Sequence, residues 1–191
     1  MPPNIEFSFL TAWHDVSAFD CFTGHEEDKD LNDFIKNDAL AQKDEGWNAT
    51  YVATEKGDKK VVGFFALSPD SISINAKKQG ELGKEYRNIP AVKIGRFAVD
   101  KNFQGKGIGT EMLRYAIGHI IEKICPNLGG MYVTLDSYPH RAQWYKSNFG
   151  FKENTLIDNH STRFVNLIYP IKEFKARQTM NDDAGTLNIT T

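Results

Sequence analysis

Apolar and polar residues alternate through Ile5-Glu6-Phe7-Ser8-Phe9, the pattern of a strand with one covered face. The spacing changes between Asp30 and Lys43. There Leu31, Phe34, Ile35, Ala39 and Leu40 recur at helical intervals and predict an amphipathic helix, with Asp30 as its N-cap. Two β-rich runs follow, at residues 49–54 and 61–67. The polar, glycine-bearing stretch 55–60 between them predicts a hairpin. Residues 70–90 are polar and read as a helix-containing or irregular connection. The central strand is expected at 92–99. From 107 to 124 the residues Ile108, Met112, Leu113, Ala116, Ile117, Ile120, Ile121 and Ile124 repeat with helical periodicity. A strand at 131–135, a short helix at 140–147 and two more strands, the later at 164–169, complete the order. Strands mixed with helices in this way imply one mixed sheet with helices on both faces.

Size narrows the picture. The chain has 191 residues, about one domain's worth. We expect one domain over 1–175 and a mobile, apolar-poor tail over 176–191. The longest apolar run, 61–67, is far too short to span a bilayer, so no membrane partner is expected. The start, Met1-Pro2-Pro3-Asn4-Ile5-Glu6, has no basic segment followed by an apolar one, which predicts a cytoplasmic protein. Cys21 and Cys125 are far apart and read as buried thiols in a reducing compartment, with a disulfide as the open alternative. The histidines His14, His25, His119, His140 and His160 are scattered, and nothing points to a metal site. A net charge of −2 argues against a globally basic nucleic-acid binder. A local basic face stays open, because Lys56, Lys59, Lys60, Lys77, Lys78, Lys84, Arg87, Lys93 and Arg96 crowd into one third of the chain. Interleaved Glu55, Asp58, Glu81 and Glu85 offer the alternative of solvated charge.

The most informative segment runs from Arg96 to Thr110. An apolar strand enters the turn Gln104-Gly105-Lys106-Gly107-Ile108-Gly109, and the turn enters a long helix. Glycine lets backbone approach a ligand and adopt positive φ. The first helical turn offers unused N–H groups and partial positive charge, so strand, turn and helix together can cradle phosphate. Lys106 adds a cation. The bland alternative is a turn that only permits tight strand–helix packing. The run lacks the Gly-Lys-Ser/Thr ending of a P-loop, and its glycines do not match the first, third and sixth positions of the dinucleotide fingerprint.

Gln104, Gly107 and Gly109 resemble the Gln/Arg-x-x-Gly-x-Gly/Ala pyrophosphate loop of the GNAT acetyltransferases. The segment Phe97-Ala98-Val99-Asp100 resembles that family's fourth strand. Ala142-Gln143-Trp144-Tyr145-Lys146-Ser147-Asn148-Phe149-Gly150-Phe151 resembles its second signature, an aromatic-Tyr pair followed by Gly-Phe. The resemblance covers about residues 5–170. It implies an α/β fold around a mixed, mostly antiparallel sheet of six or seven strands, splayed between the fourth and fifth. It implies acetyl-CoA as cosubstrate, no metal, and transfer to a primary amine by direct attack in a ternary complex. The implied CoA-binding residues are Phe97, Ala98, Val99, Gln104, Gly105, Lys106, Gly107, Ile108, Gly109 and Thr110. The backbone of Phe97 and Val99 would pair with the pantetheine arm, and a fourth-strand N–H would polarise the thioester carbonyl. Tyr145 is the implied catalytic residue, donating a proton to the departing thiolate. Its alternative is a packing aromatic beside Trp144. Asp100, Glu111 and Asp136 are candidate bases only by neighbourhood.

Phe19-Asp20-Cys21, Leu31-Asn32-Asp33-Phe34-Ile35 and Gly95-Arg96-Phe97-Ala98-Val99-Asp100 add a narrower resemblance, to toxin-type acetyltransferases that act on aminoacyl-tRNA. It implies the amino group of aminoacyl-tRNA as acceptor and an antitoxin as partner. A small-molecule or protein amine stays open as acceptor, and so does a homodimer. A CoA-binding regulatory module without turnover is the reading from a different class.

Overall fold

In the computed structural model of the chain, residues 4–83, 85–157 and 162–174 are described. Lys84, His160 and the expected tail 176–191 lie outside them. The strands are β1 (Ile5–Phe9), β2 (Ala49–Glu55), β3 (Val61–Ser73), β4 (Asn88–Val99), β5 (Tyr132–Ser137), β6 (Lys152–Glu153) and β7 (Val165–Pro170). They form a seven-stranded sheet in the order β1-β2-β3-β4-β5-β7-β6, mostly antiparallel, with β4 and β5 as the parallel pair. A parallel pair requires a crossover connection, and the helical stretch from Ile108 to Leu128 supplies it. The helices are α1 (Glu27–Asp33), α2 (Ala39–Asp44), α3 (Ala76–Glu81), α4 (Ile108–His119), α5 (Cys125–Leu128) and α6 (Pro139–Phe149). None is long and apolar enough to cross a membrane among the described residues.

The chain divides into two compact units. The first draws on Met1–Pro69 and Lys93–Ile120, the second on Asp70–Val92 and Ile121–Thr191. In the first unit β2 and the opening of β3 are buried on both faces, which is why their sequence is nearly continuous in apolar residues instead of alternating. One face carries Val52, Phe64 and Ala66, in a cluster with Phe34, Ile35 and Ala39. Phe64 meets Phe19 and Phe34, with ring centres 5.4 and 5.8 Å apart. On the opposite face Phe9, Tyr51 and Phe65 stack across β1, β2 and β3, at 4.2 and 5.0 Å. Tyr51 donates or accepts a 2.7 Å hydrogen bond with His119 at the end of α4. Each such large apolar side chain contributes roughly 1.5–3 kcal/mol by leaving water.

The expected helix at 30–43 starts earlier and is not uniform. Its N-cap is Glu26, without a side-chain cap bond, and Asp30 lies inside the first turns. Between α1 and α2 a π-helical turn, Phe34–Asp38, carries the Ala39 N–H to the Phe34 carbonyl. That wider turn keeps Phe34 and Ala39, five residues apart, on one buried face. The connection expected over 70–90 is shorter than its polarity suggests, because β3 continues to Ser73 and β4 begins at Asn88. Beyond Leu67 the strand reverts to alternating burial, with Pro69, Ser71 and Ser73 exposed and Ser68, Asp70 and Ile72 on the more covered face. The helix expected over 107–124 continues through a π-helical turn, Ile120–Ile124, into α5. Cys21 is buried, whereas Cys125 is half-buried and not enclosed as expected.

Gly63 on β3 sets how closely α4 approaches the sheet. A side-chain carbon there would lie 3.0 Å from Met112 Sδ and 3.3 Å from the Ala98 carbonyl oxygen. The methionine tip has some freedom, but the carbonyl belongs to β4. We expect Gly63→Ala to cost about 1–3 kcal/mol, the usual range for overpacking. Urea unfolding checks it, and an unchanged midpoint would mean that the strand–helix gap tolerates a methyl group.

In the second unit β5 pairs with β7 from Tyr132↔Pro170 to Ser137↔Val165, and β6 adds Lys152 and Glu153 to the other edge of β7. Ile72, Ile74, Ile89, Ala91, Leu156 and Ile168 form its apolar cluster.

Candidate active site

In the first unit β4 delivers Phe97, Ala98 and Val99 to the glycine turn. Ala98 and Val99 are buried and Phe97 half-buried. The Gln104 side chain folds back and its amide donates to the Val99 carbonyl at 2.9 Å, tying the turn to the strand end. Gly105 and Gly107 have φ of +72° and +87°, which L side chains adopt only under strain, and a Cβ at either would meet nothing within 4 Å. Neither glycine is therefore required by packing against its surroundings. This weakens the alternative of a packing turn and leaves open space over the backbone where α4 starts.

Gly107 is the N-cap of α4, and the helix behind it is anchored by buried Ile108, Met112, Leu113, Ala116 and Ile117. Gly109 and Thr110 are half-buried in its first turn. Lys106 is exposed, with Nζ 5.0 Å from the centre of the Phe103 ring. Glu111 is exposed in the same helical turn, where acidic side chains favourably oppose the helix dipole.

Asp100 is a brace of this turn. The residue is 1% exposed. Oδ2 accepts the Asp20 N–H at 3.0 Å, and Oδ1 accepts the Asn102 N–H and side-chain amide at 2.9 and 3.0 Å. A carboxylate so occupied is poorly placed to collect a proton from a substrate.

A network beside it carries no periodic mark in the sequence. Asp20 accepts from Lys101 Nζ at 2.7 Å, and from the Phe22 N–H and the Asn32 side-chain amide at 2.9 Å each. Asn32 in turn accepts the Cys21 N–H at 2.8 Å. The Phe19-Asp20-Cys21 segment, α1 and the turn after β4 are thus tied together. The signal that points to it is the Phe19-Asp20-Cys21 and Leu31-Asn32 pattern shared with the toxin-type acetyltransferases.

The hydrogen bond from Lys101, then those from Phe22 and Asn32, hold the Asp20 carboxyl down at about 2, from an ordinary 3.8. A lowered folded-state value means that the network stabilises the fold above the ordinary range and that this contribution is lost as pH falls through about 2. We expect Asp20→Asn to flatten part of the acid slope of the melting temperature in that window. The same slope in both proteins would remove Asp20 from acid stability.

Tyr145 belongs to the second unit. It lies on the inner face of α6 with Ala142. Its ring sits edge-on to Trp144 at 4.9 Å and to Phe151 at 6.0 Å. Burial pushes its phenol up to about 12, with Arg141 one helical turn earlier pulling the other way. The group is consequently protonated throughout the neutral range and able to donate. Gly150 stops α6 in a left-handed conformation, φ +81°, and its N–H donates to the Lys146 carbonyl at 3.1 Å. This is the usual glycine helix stop. Phe151 then packs on Tyr169 of β7 at 5.5 Å, so the Gly-Phe pair fixes the end of the helix that carries Tyr145. Asp136, also in this unit, is exposed and accepts from the Asn166 side-chain amide at 2.5 Å.

The basic residues divide between environments. Lys56, Lys59 and Lys60 are exposed in the β2–β3 turn, whereas Lys77 and Lys78 reach Glu81 on α3 at 4.0 and 3.8 Å.

The fold is that of toxin acetyltransferases of known structure. AtaT complexed with acetyl-methionyl-tRNAfMet superposes with a TM-score of 0.73 at 21% identity, over 91% of this chain and 98% of that one. A tyrosine-to-phenylalanine mutant of AtaT, bound to the C-terminus of the antitoxin AtaR and acetyl-CoA, gives 0.72 at 22% identity, over 92% and 99%. A tRNA-acetylating toxin of Mycobacterium tuberculosis is 28% identical over 123 residues, 64% of this chain and 72% of the relative. Residues 11–151 match the acetyltransferase (GNAT) family, and the chain belongs to that family of N-acetyltransferases.

Proposed function

We propose that this enzyme takes acetyl from acetyl-CoA and places it on the α-amino group of an aminoacyl-tRNA. The observation that carries the acetyl-CoA half is the turn of Gly105 and Gly107. Its backbone is open and lies at the start of a firmly anchored helix, which suits a pyrophosphate. The residues fit the cosubstrate: amides around Gly105–Thr110 hold the diphosphate, Lys106 adds charge, and the backbone of Phe97 and Val99 lines the pantetheine arm. The acceptor half rests on the relatives, one of which acetylates tRNA and another of which is seen with an acetylated aminoacyl-tRNA.

In the transfer, the amine nitrogen forms a bond to the acetyl carbon and the carbon–sulfur bond breaks. Tyr145 gives its phenolic proton to the leaving sulfur. A thiolate whose thiol has an ordinary value near 8.5 does not by itself take a proton from so weak an acid as this phenol, so the transfer is coupled to proton loss from the attacking nitrogen. Loss of a proton from the newly acylated nitrogen restores Tyr145 and balances the step. The net movement is one proton from nitrogen to sulfur, with Tyr145 between them. No carboxylate base is needed, because an α-amine with a pKa near 8 is partly neutral in the cell.

The same reading makes residues 1–175 one working domain of a cytoplasmic toxin, controlled by an antitoxin and able to form a homodimer. Acetyl-CoA labelled in the acetyl group, incubated with total charged tRNA, tests it. Label recovered on the aminoacyl end supports the proposal. Label on polyamines or protein lysines, with none on tRNA, overturns the acceptor.

A further inference from the structure

Arg96 stands in the Gly95-Arg96-Phe97 segment that resembles the toxin-type acetyltransferases, and the transfer step gives it no role. It lies on β4, an interior strand of the sheet. Ile94 before it and Ala98 after it are buried, as an interior strand requires, but Gly95 and Arg96 are both exposed. Successive strand residues point to opposite faces, so β4 is uncovered on both faces at this point. The Arg96 guanidinium sits 4.2 Å from the centre of the Phe34 ring. Phe34 is 1% exposed and belongs to the core cluster with Val52, Phe64 and Ala98, so the ring is a fixed platform. Its backbone opens the π-helical turn Phe34–Asp38, a distortion frequent at functional sites.

The ring contact holds the cation in place but occupies none of the five guanidinium N–H donors. Asp33 and Asp38 stand at either end of the π-helical turn, yet among the described residues no carboxylate or carbonyl accepts from Arg96. Shielding Phe34 from water needs only a carbon stem, which lysine also has, whereas the unspent fork suits bidentate contact with a phosphate. In acetyl-CoA the phosphates lie at the far end of the molecule from the thioester. The glycine turn that suits them follows Val99, and Arg96 lies back along the strand from Val99 by about 10 Å at the ordinary rise per residue. An anion at Arg96 is thus placed toward the reacting end, where the acceptor enters. We propose that Arg96, held over Phe34, binds the phosphate of the acceptor's terminal nucleotide and so selects an aminoacyl-tRNA end over a small or peptide amine. The assignment deepens the aminoacyl-tRNA reading and rests on it.

The test uses two probes, a non-hydrolysable 3′-aminoacylamido-adenosine with a 5′-phosphate and the same molecule without it. Binding and acetylation of each are measured in wild type, Arg96→Ala, Arg96→Lys and Phe34→Leu, alongside the acetyl-CoA KM and the melting temperature. A hydrogen bond to a charged group is worth about 10–150-fold in affinity. Wild type should prefer the phosphorylated probe on that scale. Arg96→Ala should bind both probes as wild type binds the unphosphorylated one. Arg96→Lys, charged but without the fork, and Phe34→Leu, which frees the guanidinium, should each keep part of the preference. The acetyl-CoA KM should not move. A preference that survives in folded Arg96→Ala overturns the subsite and leaves Arg96 a shield for Phe34. Binding of neither probe by wild type overturns it as well. A change confined to the acetyl-CoA KM overturns it in favour of a CoA contact. Acetylation of both probes without a phosphate preference removes the subsite and leaves the aminoacyl-tRNA reading standing. A preference that vanishes with Arg96, but without acetylation of either probe, leaves the subsite standing and removes the aminoacyl-tRNA transfer reading.

Discussion

Tyr145→Phe is expected to lower acetyl turnover by roughly 10²–10⁴-fold, the usual worth of a positioned proton donor, and to leave the acetyl-CoA KM unchanged. The substitution removes one oxygen and keeps the ring that packs between Trp144 and Phe151. Helix α6 has its own stop at Gly150 and its own anchor at Phe151, so the helix does not depend on the hydroxyl. A loss confined to turnover therefore reports proton transfer and not misplacement. The pH dependence sharpens the test. Because burial raises the phenol to about 12, the wild-type rate should not fall on the alkaline side from loss of the Tyr145 proton until pH nears that value. Steady-state rates from neutral pH to about 10 check both statements. Equal turnover in wild type and variant would make Tyr145 a packing residue and leave the mechanism to the backbone and solvent.

The readable and unreadable parts of this chain differ in physical kind. Helical spacing from Ile108 to Ile124 was legible because Ile108, Met112, Leu113, Ala116, Ile117, Ile120 and Ile121 on that face are buried, and only Ile124 at its end is half-buried. The strands at 49–54 and 61–67 were legible because two-sided burial demands unbroken apolar runs. The ends of β3 and β4 were not, since Ser68–Ser73 and Asn88–Ile89 mix polar residues with single buried isoleucines and look like connection. The π-helical turns at Phe34 and Ile120 were also hidden, because a single widened turn changes the hydrophobic phase too little to show.

At the site, glycine spacing announced the open turn, since positive φ at Gly105 and Gly107 restricts residue choice locally. Side-chain bonds between residues 80 and 81 apart, from Asp20 to Asp100 and to Lys101, leave no periodic trace. The Arg96 guanidinium over Phe34 joins β4 to the π-helical turn, and neither strand nor helical spacing announces that pairing.

Asp100→Ala should cost on the order of 3 kcal/mol of folding stability and weaken acetyl-CoA binding, because it leaves three donors facing a buried position with no acceptor. Asp100→Asn should fall between wild type and alanine. Its one oxygen can still accept from Asn102, but the amide nitrogen in place of Oδ2 opposes the Asp20 N–H. A deformed turn carries Gly105 and Gly107 with it, so the dissociation constant for acetyl-CoA should rise in the same order as stability falls. Turnover at saturating substrate should be nearly kept in the asparagine variant, since the brace touches no reacting atom. Calorimetry for the ligand, urea unfolding for the fold and single-turnover rates for the chemistry read these separately. The opposite pattern would make Asp100 the base after all: intact melting, intact acetyl-CoA affinity and abolished chemistry in Asp100→Asn. The observed bonds argue against it, since deprotonating an amine would require Asp100 to give up acceptor sites that already hold the turn in place.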